Sequence, residues 1–162
     1  MCGIAGAFGP GAEQLAARLS AALCHRGPDD GGGASLGAGD RSTVGALGHR
    51  RLSIIDLSPA GHQPMCSADG RYTIVFNGEI YNYRALRDEL RRDGTAVRGE
   101  SDTAVLLAGW ALHGSRFLAS LRGMFAFALW DAQREVAWLV RDPFGIKPLY
   151  VAQTSGTLLF AS

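Results

Sequence analysis

The residue best placed for covalent chemistry stands second in the chain. Met1-Cys2-Gly3-Ile4 sets a cysteine directly behind the initiator methionine, which is trimmed where the following side chain is small. Trimming would leave Cys2 with both a thiol and a free α-amine. A nucleophile needs a base beside it, and an α-amino group titrating at about 7.7 to 8.0 is suited to take a thiol proton. One residue then supplies both functions. Cys24 and Cys66 bring the cysteines to an odd count with no CxxC spacing and no histidine array, so neither a disulfide framework nor a zinc site is indicated. Both are expected to be half-buried thiols.

The elements that must position Cys2 follow from periodicity and punctuation. Residues 4–8 read as a short buried strand ending at Gly9-Pro10-Gly11, and Leu15, Leu19 and Leu23 form a helical stripe over 12–23. The stretch His25-Arg26-Gly27-Pro28-Asp29-Asp30-Gly31-Gly32-Gly33 breaks all periodicity and reads as a loop. Residues 44–47 form a strand, and the chain continues extended through Gly48-His49-Arg50-Arg51 to Asp56. On that segment Arg50 and Arg51 must point to opposite sides. Tyr72-Thr73-Ile74-Val75-Phe76 has the β-branched and aromatic content of a central strand and runs into Asn77-Gly78-Glu79. Asn-Gly after a strand ordinarily signals a hairpin. Here Tyr83, Leu86 and Leu90 recur at helical spacing, so the pair is expected at a strand-to-helix corner, where backbone N–H groups can face a ligand.

Asp93-Gly94 ends that helix. Either Ser101 or Asp102 can cap the next, whose Val105, Leu106 and Leu112 are expected to share a face, and His113-Gly114 closes it. Residues 124–130 and 136–140 form a hairpin of strands covered on both faces, and 149–152 pairs with 157–160 around Ser155-Gly156. Strands at both ends with helices between them predict an α+β layered sandwich, sheet on sheet with helices outside.

Composition narrows the class. A chain of 162 residues with 47% hydrophobic content can bury a sizeable core, and its length favours one domain. A net charge of +1 gives no electrostatic footprint for nucleic acid or an acidic membrane. The paired Arg91-Arg92 reads as a solvated helix end. No basic segment followed by an apolar run opens the sequence, and no apolar stretch of about 20 residues occurs, so secretion and membrane spanning are not expected. The expected compartment is the cytoplasm, which keeps a nucleophilic thiol reduced.

Seven stretches in order resemble one family. They are Met1-Cys2-Gly3-Ile4-Ala5-Gly6, His25-Arg26-Gly27-Pro28-Asp29, Gly48-His49-Arg50-Arg51-Leu52-Ser53-Ile54-Ile55-Asp56, Phe76-Asn77-Gly78-Glu79-Ile80-Tyr81-Asn82, Ser101-Asp102-Thr103, Leu121-Arg122-Gly123-Met124-Phe125-Ala126, and Arg141-Asp142-Pro143-Phe144-Gly145-Ile146-Lys147-Pro148-Leu149-Tyr150. Together they resemble the N-terminal glutaminase domain of class II (Ntn-type) glutamine amidotransferases, and within these the glutamine-hydrolysing asparagine synthetases. The resemblance implies an αββα Ntn-hydrolase sandwich of two stacked, mainly antiparallel sheets with outer helices. It also implies that trimmed Cys2 attacks the side-chain amide of glutamine, releasing ammonia and leaving a glutamyl thioester for water to hydrolyse.

By the same resemblance Asn77 (side-chain amide) and Gly78 (backbone N–H) form the oxyanion hole, Arg51 binds the α-carboxylate of glutamine, and Asp102 binds its α-ammonium. Leu52, Ile54 and Glu79 line the pocket, Arg26 supports it, and Asp142 with Lys147 forms an ion pair or shapes a face toward a synthetase domain. No cofactor or metal is expected for the glutaminase half, whereas ATP and Mg belong to a synthetase half not found in this sequence. Residues 1–162 are expected to be a glutaminase domain stopping short of its C-terminus. The implied partners are glutamine and a downstream synthetase domain in the same chain, and a homodimer stays open. Two alternatives are the same domain serving another ammonia acceptor, as in related amidotransferases for phosphoribosyl amine, glucosamine phosphate, or small-molecule and peptide amidation, and a non-catalytic Ntn-fold domain.

Overall fold

A computed structural model describes residues 1–37, 43–52 and 61–162. Among them, strands β1 (Gly3–Phe8), β2 (Asp30–Leu36), β3 (Gly45–Arg51), β8 (Tyr150–Thr154) and β9 (Thr157–Ala161) form one sheet in the order β2-β3-β1-β9-β8. Strands β4 (Met65–Cys66), β5 (Tyr72–Ile80), β6 (Gly123–Asp131) and β7 (Val136–Arg141) form a second in the order β4-β5-β6-β7. Every pairing is antiparallel. Helix α1 (Ala12–Ala22) covers the first sheet, while α2 (Tyr83–Arg92) and α3 (Asp102–His113) cover the second. The α+β, αββα layering expected from the sequence is therefore the architecture found. No helix among the described residues is long and apolar enough to cross a membrane.

Period-two alternation assigns each strand residue to a layer. Ile4, Leu47, Val75, Ala126, Ala128, Trp130 and Phe160 meet between the sheets. Their neighbours Ile74, Phe76, Phe125, Phe127 and Leu129 point the other way, onto Leu86, Leu90, Val105, Leu106 and Trp110 of α2 and α3. On the far side, Ala7 and Ala46 pack against Ala12 and Ala16 of α1. The expected leucine stripe of α1 is thus not its seat. Ala12, Ala16 and Ser20 are buried instead, because the helix lies so close to the sheet that a Cβ on Gly48 would stand 2.8 Å from the Ser20 Cβ.

The helix boundaries follow their predicted signals. Gly94 takes φ +81° just beyond α2, Ser101 Oγ accepts the Ala104 N–H to cap α3, and Gly114 takes φ +61° at its end.

Other expectations change. The glycine-rich stretch predicted as a loop becomes a turn at Cys24–Arg26 followed by β2, paired with β3 from Asp30↔Arg51 to Leu36↔Gly45. Its glycines make room for neighbours: a Cβ on Gly31 would meet Arg50 Nη1, and one on Gly32 would meet the Gln63 carbonyl. Asn77-Gly78 lies inside β5, opposite Ala126 and Phe125, and not at a corner. Leu112, seven residues from Val105, does lie on its side of α3, but it is exposed together with the neighbouring residues at the helix end, Ala111 and His113. β7 is an edge strand with Val136 and Trp138 exposed, so it is not covered on both faces. Cys24 and Cys66 are exposed, not half-buried. The extended continuation from Ser53 to Asp56 lies outside the described residues.

Candidate active site

Alternation carries Cys2, Arg51 and Asn77 to one place. Cys2 shares the parity of Ile4 on β1, Arg51 that of Leu47 on β3, and Asn77 that of Val75 on β5, so all three turn into the space between the sheets. Arg50 faces the opposite side, where its Nε donates to the Ser20 carbonyl under α1. At this end of the sandwich a cavity of about 170 Å³ opens, lined by Cys2, Arg51, Leu52, Asn77, Gly78, Glu79 and Asp102. Ile54, expected beside them, lies outside the described residues.

Backbone contacts hold the thiol. The Leu52 N–H lies 3.4 Å from Cys2 Sγ, and Sγ is 3.7 Å from the Leu52 carbonyl, so one residue both donates to and can accept from the sulfur. Arg26 Nε donates to the Cys2 carbonyl at 3.3 Å, consistent with its expected supporting place. Across the cavity Asn77 is 1% exposed, and its Nδ2 donates to Ser162 Oγ at 2.9 Å. Gly78 follows it on β5. A Cβ there would stand 2.4 Å from the Met124 carbonyl oxygen and 2.7 Å from the Phe125 Cα, so the register with β6 admits nothing larger than glycine.

Asp102 reaches the site from the first turn of α3. Its Oδ2 accepts the Ile80 N–H at 3.0 Å and its Oδ1 accepts its neighbour Thr103's N–H at 2.8 Å. Burial raises its pKa above the ordinary carboxylate value, these N–H groups oppose the shift, and the nearby Glu79 charge adds to it. A buried carboxylate at the wall of a cavity is a seat for a cation. Glu79 itself is exposed at the rim.

Lys147 also lines the cavity and is buried, but its Nζ lies 3.1 Å from Met1 Sδ. Asp142 is held separately. Burial opposes its charge, yet N–H groups of Lys147, Ile146, Phe125 and Phe144 outweigh this and keep its pKa below the ordinary range. The expected Asp142–Lys147 ion pair therefore gives way to a carboxylate organising the turn after β7 and an ammonium facing Met1.

Gln63 was not singled out from the sequence, and Thr103 stood only within a matched stretch with no role of its own. Gln63 Oε1 accepts the Phe76 N–H at 2.6 Å, and its Nε2 donates to Thr103 Oγ1 at 3.3 Å, tying β5 to the turn that carries Asp102. No periodicity marks a single glutamine in a loop, so this link had no local signal. His49 belongs to the stretch that runs from Gly48 to Asp56. It is 1% exposed, and burial lowers its pKa to about 4 against a raising hydrogen bond with the Phe76 backbone, so the imidazole is neutral near pH 7.

The fold and its relatives agree. A solved structure of glutamine phosphoribosylpyrophosphate amidotransferase from Bacillus subtilis superposes with a TM-score of 0.84 over 99% of this chain and 41% of its own, at 23% identity, which establishes the shared Ntn-type architecture. A putative glutamine-hydrolysing asparagine synthetase of Mycobacterium tuberculosis is 46% identical over 99% of this chain and 25% of its own length. The glutamine-hydrolysing asparagine synthetase 1 of Bacillus subtilis is 43% identical over 100% of this chain and 26% of its own. The chain thus spans about a quarter of the length of these curated relatives. The profile of one domain family matches residues 1–162, and the chain belongs to that family, the glutamine amidotransferase domain.

Proposed function

We propose that this domain hydrolyses glutamine to glutamate and ammonia, and that the ammonia serves ATP-dependent asparagine synthesis from aspartate in the remainder of a longer chain. One observation carries the reading: a single cavity is lined by a thiol at the chain's start, an arginine, a buried carboxylate and an asparagine amide. Free glutamine has a carboxylate, an ammonium and a neutral amide, and each finds its counterpart there.

On this reading removal of Met1 frees the Cys2 α-amine, which takes the thiol proton. Sγ then bonds to the side-chain amide carbon, and the carbonyl oxygen becomes an oxyanion held by the Asn77 amide and the Gly78 N–H. The C–N bond breaks as the amine returns its proton to the leaving nitrogen, which departs as ammonia. Water then attacks the thioester, the amine again taking a proton, and glutamate leaves as Sγ recovers its own. Arg51 holds the α-carboxylate with a planar fork, and Asp102 holds the α-ammonium. No cofactor is assigned to these steps; ATP and Mg belong to the synthetase half.

The test is glutamate release from glutamine by the full-length gene product, with its N-terminal mass measured. Protein lacking Met1 should turn over glutamine, and Cys2→Ala should abolish this while ammonia-dependent asparagine formation continues. Equal glutamine turnover in the Cys2→Ala protein would remove Cys2 from the chemistry.

A further inference from the structure

Ser162 lies behind the cavity, where it joins the two sheets. Its backbone N–H donates to the Ile4 carbonyl at 2.9 Å, and its carbonyl accepts the Ile4 N–H at 3.4 Å, so it is clamped to the strand that begins beside Cys2. Its hydroxyl oxygen accepts the Asn77 Nδ2 hydrogen at 2.9 Å from the opposite sheet. Ser162 is 3% exposed, so bulk water does not substitute readily for that acceptor.

We propose that Ser162 is a positioning residue for the Asn77 amide, fixing the donor's orientation relative to the strand that carries the nucleophile. The proposal rests on the reading of Asn77 as an oxyanion donor. A primary amide has two N–H bonds in one plane. Anchoring one on Ser162 sets the plane and the direction of the other, while the Ile4–Ser162 backbone pair refers that direction to Cys2. A donor fixed before the charge develops needs no reorganisation during the reaction. Ser162 does not line the cavity, so its loss should weaken the chemical step and leave glutamine binding nearly intact.

The experiment uses the full-length gene product lacking Met1 and compares Ser162→Ala, Ser162→Cys, Asn77→Ala and the Asn77→Ala/Ser162→Ala double variant. Ser162→Ala should lower glutaminase kcat by about 3- to 10-fold, the effect of one neutral hydrogen bond, with KM for glutamine within about twofold. In the Asn77→Ala background the same change should have no further effect, because the group it positions is gone. Wild-type kcat in Ser162→Ala, a loss confined to KM, or losses that multiply in the double variant would overturn the proposal. Should the alanine protein fail to fold, the near-isosteric Ser162→Cys, whose sulfur is a weak acceptor, is read by the same criteria. Full activity of Asn77→Ala would instead strike the underlying site reading, which separates the two failures.

Discussion

Replacing Asp102 by asparagine separates substrate recognition from folding more cleanly than any other change at the site. Alanine is a poor probe, because the Ile80 N–H it would abandon belongs to a fully buried residue, and an unpaired buried donor costs about 1–3 kcal/mol. Asparagine keeps the shape and one carbonyl acceptor while removing the charge. Because burial already disfavours ionised Asp102, losing the charge offsets part of the lost second acceptor, so stability near pH 7 should change by about 1 kcal/mol or less. Glutamine loses a charge-assisted contact to its ammonium, about 1.5–3 kcal/mol, or roughly 10- to 150-fold in KM. The larger penalty of a fully buried broken pair does not apply in full, since exposed Glu79 at the rim retains some attraction.

The pH dependence follows from the raised pKa. The folded form binds the Asp102 proton more tightly than the unfolded chain. Its contribution to stability is therefore complete below the ordinary 3.8 and is lost as pH rises through the elevated folded value. Glutamine's ammonium prefers the ionised carboxylate, so KM in the native protein should fall as pH rises through that same value. In Asp102→Asn both limbs should vanish. Steady-state glutaminase assays across pH, with denaturant unfolding of both proteins, measure this. A KM within twofold of the native protein, or an acid limb that survives the substitution, would refute the assignment of Asp102 to the ammonium.

Other outcomes are open to measurement. Gly78→Ala must push β5 and β6 apart, because its Cβ would meet the Met124 carbonyl and Phe125 Cα. Unfolding assays should show a loss of about 1–3 kcal/mol, and turnover should fall by about 10²-fold or more through displacement of the adjoining donor. His49, whose pKa burial lowers from 6.5 to about 4, stays neutral while the unfolded chain takes up a proton. Stability should therefore drop as pH falls through that window, by up to about 3 kcal/mol, and His49→Gln should flatten the slope in denaturant titrations.

Features set by neighbouring residues are legible along the chain. The chemistry proposed for Cys2 rests on its standing behind Met1, the ends of α2 and α3 were written in Gly94, Ser101 and Gly114, and alternation sent Arg50 and Arg51 to opposite sides. Co-ordered motifs extended this to the candidate site residues, though the motifs carried no distances. Where local signals were ambiguous, the reading failed for identifiable reasons. Glycines 31–33 suggested a loop because backbone freedom, not side-chain pattern, dominated the stretch, whereas β3 supplies the hydrogen bonds that make it a strand. Leucines marked the wrong stripe of α1 because close approach to Gly48 selects small side chains over hydrophobic ones.

Which faces meet depends on packing between elements distant along the chain. Stacking the two sheets brings Asn77 of β5 to Ser162 beyond β9, and Gln63 ties β5 to the turn holding Asp102. The Asn77–Ser162 contact joins residues 85 positions apart, a separation no helical or strand period spans. Such contacts form because inward-facing side chains must share the buried layer between the sheets, and the polar groups trapped there must find one another.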